Sequence, residues 1–163
     1  MGIQAGNEPQ ASVILGSGLG AFAEGLQDQK VVEFSEIPGM PKSTVAGHGG
    51  RFVYGKTQSG LRVLAQQGRV HFYEGYDLFD VTFPIRLHKE VGSSYLVITT
   101  SVGTINEAFK PGEFMMFTDH INAPQLSPLS GLPADLGERF VDMSAVYDSD
   151  VIDAVLLQTK LSD

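Results

Sequence analysis

The sequence predicts one α/β domain built on a mixed central sheet, and three stretches carry that expectation. Ala11 to Leu15 is a short apolar run that stops at glycines, the pattern of a buried strand feeding a turn. Tyr95 to Thr99 (YLVIT) is β-branched and nearly continuous, as strands buried in a parallel sheet are, and reads as the clearest buried strand of the chain. Arg51 to Lys56 and Leu61 to Gln66 flank Thr57-Gln58-Ser59-Gly60 and read as an antiparallel hairpin. At 163 residues the chain is long enough for one domain with a real core and too short for two of usual size, so residues 1–163 are taken as a single domain.

Charge and composition exclude several classes of function. A formal charge of −8 argues against a nucleic-acid or anionic-membrane surface, either of which needs a basic patch. An anionic ligand would have to be held by a local cluster acting against that field. The absence of cysteine removes disulfides and thiolate metal sites and points to a reducing compartment. The start, MGIQAGNEPQ, has no basic region followed by an apolar core, and Gly6 stands where myristoylation requires Ser or Thr. No apolar run approaches membrane-spanning length, so the expected location is the cytoplasm.

Behind the first strand comes Gly16-Ser17-Gly18-Leu19-Gly20, with Ala21 to Gln27 expected as a short helix. Successive backbone N–H groups in such a loop can close around an anion, and the hydroxyl of Ser17 would join them. The same glycines satisfy Gly16-x-Gly18-x-x-Ala21, a dinucleotide fingerprint, with Glu33 or Glu36 near the distance for a ribose contact. A purely structural tight turn is the third reading. No Gly-Lys-Ser/Thr follows, so it is not a Walker loop.

Lys30 to Phe34 alternates weakly and reads as a second strand, and the two prolines of Ile37 to Pro41 impose a loop. Gly47-His48-Gly49-Gly50 sets an imidazole between glycines. Asp77 is placed to cap a helix running toward Val91, with Gly92 as its stop and Pro84 forcing a kink or a late start. His88, beside Lys89 and Glu90, is expected on its solvated face. Phe114 to Phe117 reads as a further short strand ending at Asp119-His120-Ile121-Asn122, residues 123–138 as loop, and about Ser149 to Leu161 as a last helix.

The chemistry concentrates in Gln67 to Tyr76 (QGRVHFYEGY). If the backbone stays extended, Arg69, His71 and Tyr73 share one face while Val70, Phe72 and Glu74 take the other. A guanidinium, an imidazole and a phenol in a row suit an anion with a sugar or ring beside it, arginine offering a fixed fork of donors. A strand edge turned to water would use the same residues. Thr100-Ser101-Val102-Gly103-Thr104 adds hydroxyls at the carboxyl end of YLVIT, the edge where ligands collect in open α/β sheets. A metal site finds little support, because there is no His-Glu-x-x-His and the four histidines are scattered. A serine-hydrolase elbow is also absent, since Leu19 stands where its second glycine would be.

Taken in order, these segments resemble the trimeric class of purine nucleoside phosphorylases. ILGSGLG (Ile14 to Gly20) looks like the phosphate loop of that family. SEIPGMPKSTVAGHGG (Ser35 to Gly50), QGRVHFYEGY, the DHIN at Asp119 and RFVDMSAVYD from Arg139 are each similar to family segments. The resemblance runs from Val13 to about Asp148. It implies the phosphorylase-type three-layer fold and reversible phosphorolysis of inosine- or guanosine-like nucleosides, with inorganic phosphate as co-substrate and no other cofactor. It places Ser17, His48, Arg69, His71 and Ser101 on phosphate-contacting positions, Arg69 and His71 serving catalysis, and Tyr73 on a ribose-contacting one. Phe140 matches a phenylalanine that reaches into a neighbouring subunit's nucleoside site, which implies a homotrimer.

Two departures from the family pattern are visible. The family usually carries Asn-Ala-Ala-Gly-Gly where this chain has Thr100 to Thr104, which adds bulk at Val102 and Thr104. The family's purine-recognising glutamate and asparagine, and a further phosphate-binding serine, belong to a later segment with no counterpart before Asp163. The expectation is therefore the family fold lacking its C-terminal part. The alternative to an enzyme is a non-catalytic phosphate- or nucleoside-binding protein.

Overall fold

The computed structural model describes the whole chain apart from residues 1, 4, 43–49 and 163, with side chains described as far as residue 159. It divides into two compact units, residues 1–102 and 103–163.

The first unit is a mixed sheet of five strands: β1 (Ala11–Leu15), β2 (Gln27–Glu33), β3 (Arg51–Lys56), β4 (Arg62–Gln67) and β5 (Tyr95–Ile98). Their spatial order is β2-β3-β4-β1-β5. The β3–β4 hairpin is antiparallel with Arg51 opposite Gln67, and β2 adds antiparallel to β3. Strand β1 pairs parallel with β4 on one side and with β5 on the other. The chain thus leaves β1 toward one neighbour and later crosses to the opposite one, so β1 sits at the topological switch of the sheet.

Alternation along the strands feeds two cores. Leu15, Val53, Val63 and Ala65 pack with Ala23 and Leu26 from the region of α1 (Ala21–Glu24). Phe52, Tyr54 and Leu64 point the other way, to Phe34, Met40 and the side chains Phe83, Leu87 and Val91. These last belong to or follow α3 (Phe83–Glu90), the second half of a helical stretch whose first half is α2 (Leu78–Val81). Pro84 supplies the reason for the division: it lacks an N–H and is tolerated in a first turn, so α3 starts afresh there. Asp77 caps α2 as expected, accepting from the Asp80 N–H at 2.8 Å.

Other expectations need correcting. The helix after the glycine loop is a single turn, ending at Glu24 instead of Gln27. Strand β2 begins earlier than Lys30, with a bulge in which Asp28 takes φ +53° opposite Gly55. A Cβ at Gly55 would lie 2.7 Å from the Gln27 carbonyl oxygen, so this crossing requires glycine. Strand β5 is exposed along its whole length, Ile98 to 58%. It sits at the sheet edge with β1 as its paired neighbour, and apolar composition alone supplied no cover. His88, expected in solvent, is 1% exposed, because the turn of α3 that carries it faces the sheet.

In the second unit, α4 (Ser149–Ser162) follows Asp148, whose carboxylate accepts from the Val151 N–H at 3.0 Å. Phe114 to Phe117 form no strand, and Phe114 is 87% exposed. Strands need a paired neighbour, and the described residues of this unit offer none. Arg139 Nε donates to the Leu132 carbonyl at 2.9 Å, and His120 meets Tyr147 edge to face.

Candidate functional site

Strands β4, β1 and β5 run parallel, so their carboxyl ends lie side by side: Gln67, Leu15 and Ile98. The three segments that leave these ends carry Arg69 to Tyr73, Ser17 and Thr99 to Ser101. This brings Ser17, Arg69, His71 and Ser101, four of the sequence-predicted anion ligands, to one edge from positions up to 84 residues apart in the chain (101 − 17).

The glycine loop is a tight turn, Leu19 N–H donating to the Gly16 carbonyl at 3.2 Å with Gly18 at φ +87°. Gly16 has a separate reason to be glycine. Its Cβ would lie 2.9 Å from both the Thr99 carbonyl oxygen and Thr100 Cα, so the start of the loop is pressed against the end of β5. Thr99 ties the two together: its Oγ1 accepts from the Gly16 N–H at 2.8 Å and donates to the Ile14 carbonyl at 2.9 Å. The Gly16 N–H is thereby committed to Thr99. Ser17 and Gly18 stand exposed at the tip.

The dinucleotide alternative fails on topology. Its fingerprint requires the strand after the loop to pair parallel beside the first, whereas β2 is separated from β1 by β3 and β4 and runs antiparallel to β3. Glu33 and Glu36 are occupied with each other's backbone in a capping box around a short 3-10 turn.

Beyond Gly68 the backbone does not continue as a strand. It curves into a 3-10 turn at Phe72–Glu74, closed by Gly75 at φ +91°. Arg69 and His71 nevertheless come together, and Tyr73 joins them by stacking. Arg69 Nε donates to His71 Nε2 at 3.3 Å, its Nη2 to Thr100 Oγ1 at 2.7 Å, and its Nη1 approaches the Thr99 carbonyl at 3.5 Å. Each terminal nitrogen keeps a second N–H. The His71 ring stacks on Tyr73 at 4.8 Å, and Tyr73 is 76% exposed.

Glu74, assigned by alternation to the opposite face, instead turns back onto His71. Its Oε1 accepts from the His71 N–H at 2.8 Å and lies 3.1 Å from His71 Nδ1. Because Arg69 can only donate, His71 Nε2 must be the acceptor and Nδ1 must carry the hydrogen that Glu74 accepts. The tautomer is set by its two neighbours.

Of the other expected ligands, Ser101 is exposed one residue beyond Thr100. His48 lies outside the described residues. Phe140 is 93% exposed in the second unit. Thr99 and Glu74 are site residues that the sequence alone did not single out, and Thr100 was read only as part of the hydroxyl run at that edge. The available signal for Thr99 was its place as the hydroxyl-bearing last residue of YLVIT, and the three-residue spacing of a capping box was the signal for Glu74. Among the described residues no group of His, Asp and Glu is arranged to hold a metal ion.

Known proteins resemble the chain over most of its length. Residues 11–160 match the family model of the Phosphorylase superfamily. Purine nucleoside phosphorylase 1 of Bacillus subtilis is 46% identical over 144 residues, which make up 88% of this chain and 53% of that protein. Isoform 2 of purine nucleoside phosphorylase from Schistosoma mansoni, solved with cytosine and ribose-1-phosphate, superposes with a TM-score of 0.86 at 40% identity. That match covers 95% of this chain and 55% of the other. The Schistosoma mansoni enzyme solved with inosine gives a TM-score of 0.80 at 36% identity, over 89% of this chain and 52% of that one. The chain spans about half the length of the relatives it matches.

Proposed function

The chain belongs to the Phosphorylase superfamily, and from that premise we propose that it serves the reversible phosphorolysis of purine nucleosides of the inosine and guanosine type. The observation that carries the reading is the fixed Arg69 fork. It is anchored by Thr100 and His71 at the switch-point edge, beside the exposed tip of the glycine loop.

In this reading Arg69, His71, Ser17, His48 and Ser101 hold inorganic phosphate, and Tyr73 lies along the ribose. A phosphate oxygen attacks the anomeric carbon while the glycosidic C–N bond breaks and its electron pair leaves with the purine. The ribosyl group passes through a cationic, oxocarbenium-like state, and the phosphate dianion is its counter-charge. The protein's contribution is to hold that dianion in line before the reaction, so that little reorganisation is needed as charge develops. Arg69, already oriented by neutral partners, can receive an anion on its remaining N–H groups. The chemistry calls for phosphate as co-substrate and no redox group or metal.

Phe140, largely exposed on its own chain, fits the role of a side chain offered to a neighbouring subunit's nucleoside in a homotrimer. We read residues 1–163 as a portion of one family domain, since the match runs unbroken from 11 to 160. The cysteine-free, acidic composition supports a cytoplasmic setting, and no helix among the described residues is long and apolar enough to cross a membrane.

The test uses two proteins: the 163-residue chain, and that chain extended by the remainder of the Bacillus subtilis relative. Calorimetric titration should show phosphate binding to both. Release of hypoxanthine from inosine should depend on phosphate and be far faster in the extended form, because a leaving purine needs a donor near its ring nitrogens. Absence of phosphate binding in both would overturn the reading. Binding with no turnover in either would leave a non-catalytic binding protein.

A further inference from the structure

We propose that His88 and Gln66 are a buried positioning pair that sets the course of the Gly68–His71 loop, and with it the Arg69 fork. The inference rests on the reading of that loop as the phosphate-holding segment, but it concerns residues outside the edge itself.

Gln66 is the penultimate residue of β4, 1% exposed, on the sheet face covered by α3. Its Nε2 donates to the Gly68 carbonyl at 2.9 Å. A carbonyl oxygen only accepts, so this contact fixes which way the amide points and turns Oε1 toward α3. There His88 Nε2 lies 3.0 Å away. An amide oxygen also only accepts, so His88 must carry its hydrogen on Nε2. The sequence of donors runs in one direction, from His88 to Gln66 to the Gly68 carbonyl.

Gly68, at φ +83°, is where the chain turns off β4, and its carbonyl belongs to the peptide plane shared with Arg69. Holding that oxygen holds the backbone from which the guanidinium is launched. The other face of the strand end is tied separately, Gln67 Nε2 donating to the Gly20 carbonyl at 2.9 Å. Successive glutamines thus anchor the Arg69 loop on one side of the sheet and the glycine loop on the other.

A merely space-filling position would be better served by apolar side chains. His88 packs edge-on to Phe52, with ring centroids 5.4 Å apart, and its Nδ1 is buried without a hydrogen-bond partner among the described residues. An unsatisfied buried nitrogen is a standing cost, and it is retained here beside a hydrogen bond that reaches the site loop. Burial also lowers the pKa of His88 to about 4, which keeps the ring neutral and the donor on Nε2 at ordinary pH.

The experiment compares the parent chain with Gln66→Leu, His88→Phe, the double variant and His88→Gln, which keeps a donor at about the Nε2 position. The first readout needs no ligand: exchange of the His71 amide hydrogen, normally bonded to Glu74, measured against amides of β3. The second is the dissociation constant of inorganic phosphate. Gln66→Leu and His88→Phe should each speed His71 exchange about tenfold relative to β3 and weaken phosphate about tenfold. The double variant should be no worse than either single one, as expected for coupled residues, and His88→Gln should recover most of the loss. Exchange at His71 that stays at the parent value, or rises only in step with β3, would overturn the proposal whatever phosphate does. A loosened His71 in a chain whose parent shows no phosphate affinity would uphold the positioning and overturn the phosphate reading instead.

Discussion

Arg69 donates through Nε to Nε2 of His71, two residues along the chain, while Glu74 holds the opposite nitrogen of the same ring. The consequence is a neutral acceptor set beneath a guanidinium whose outer N–H groups stay open, among the described residues, toward the edge. A cation held by neutral partners keeps its charge for an incoming anion, whereas one already paired with a carboxylate would have to surrender that partner. This makes the local positive charge usable in a chain whose net charge is −8.

Arg69→Ala should therefore lower phosphorolysis by the extended form on the order of a hundred- to a thousand-fold, the usual loss for one preorganised charge-stabilising donor. The fold should persist, since the guanidinium is partly exposed and its contacts are to Thr99, Thr100 and His71 at the surface. Steady-state rates with a circular-dichroism control check this. Near-parent turnover in a folded variant would make the arginine structural.

Glu74→Gln tests the tautomer argument. The amide can present either its oxygen or its nitrogen to His71 Nδ1, so the neutral ring loses one of the two contacts that set its tautomer. Phosphate affinity should fall by roughly tenfold, in line with the loss of a supporting partner behind a ligand. Nitrogen-15 shifts of the His71 ring should change from one tautomer to a mixture. A ring spectrum identical to the parent would show that Arg69 alone dictates the tautomer.

Gly16→Ala addresses the seam between β1 and β5. The added methyl would sit 2.9 Å from backbone atoms of Thr99 and Thr100, which cannot swing aside as a side chain would. The expected cost is about 2–4 kcal/mol, from overpacking and from pushing Thr99 off its bonds to Gly16 and Ile14. Urea denaturation measures it. Unchanged stability would mean that the end of β5 moves freely against the loop.

What could be read from the sequence divides along the range of the interactions. Strands β1, β3 and β4, the Asp77 cap, the break at Pro84 and the final helix were legible because each depends on neighbours a few residues away. The convergence of Arg69 and His71 was legible as a pair, although the extended backbone invoked for it was not what forms. Glu74 shows why: a capping carboxylate bends the chain back after His71, and strict alternation carries no term for that competing hydrogen bond. His88 was misplaced because charged neighbours, Lys89 and Glu90, do not reveal that a single turn faces Gln66. Burial of YLVIT was over-read since β-branched composition reports what a strand tolerates, and exposure is decided by what lies across it. Thr99 acts on Gly16 across 83 residues of sequence, a link that only the folded sheet exposes.

His88 gives the last prediction, in stability against pH. Its folded pKa, about 4, lies below its ordinary value of 6.5 because burial disfavours the charged ring. Between those values the unfolded chain binds more protons than the folded one, so stability rises with pH across that window and is lost as pH falls from about 6.5 toward 4. The full span corresponds to up to roughly 3 kcal/mol for this one group. Carboxylates titrate at the lower end of the window, so the informative quantity is the difference between the parent and His88→Gln, which cannot take up the proton. The gap in unfolding free energy between them should narrow as pH drops from 7 to 5, most of the change falling below 6.5. A gap that stays constant over that range would mean His88 is protonated as easily in the folded chain as outside it, and that water reaches its Nδ1.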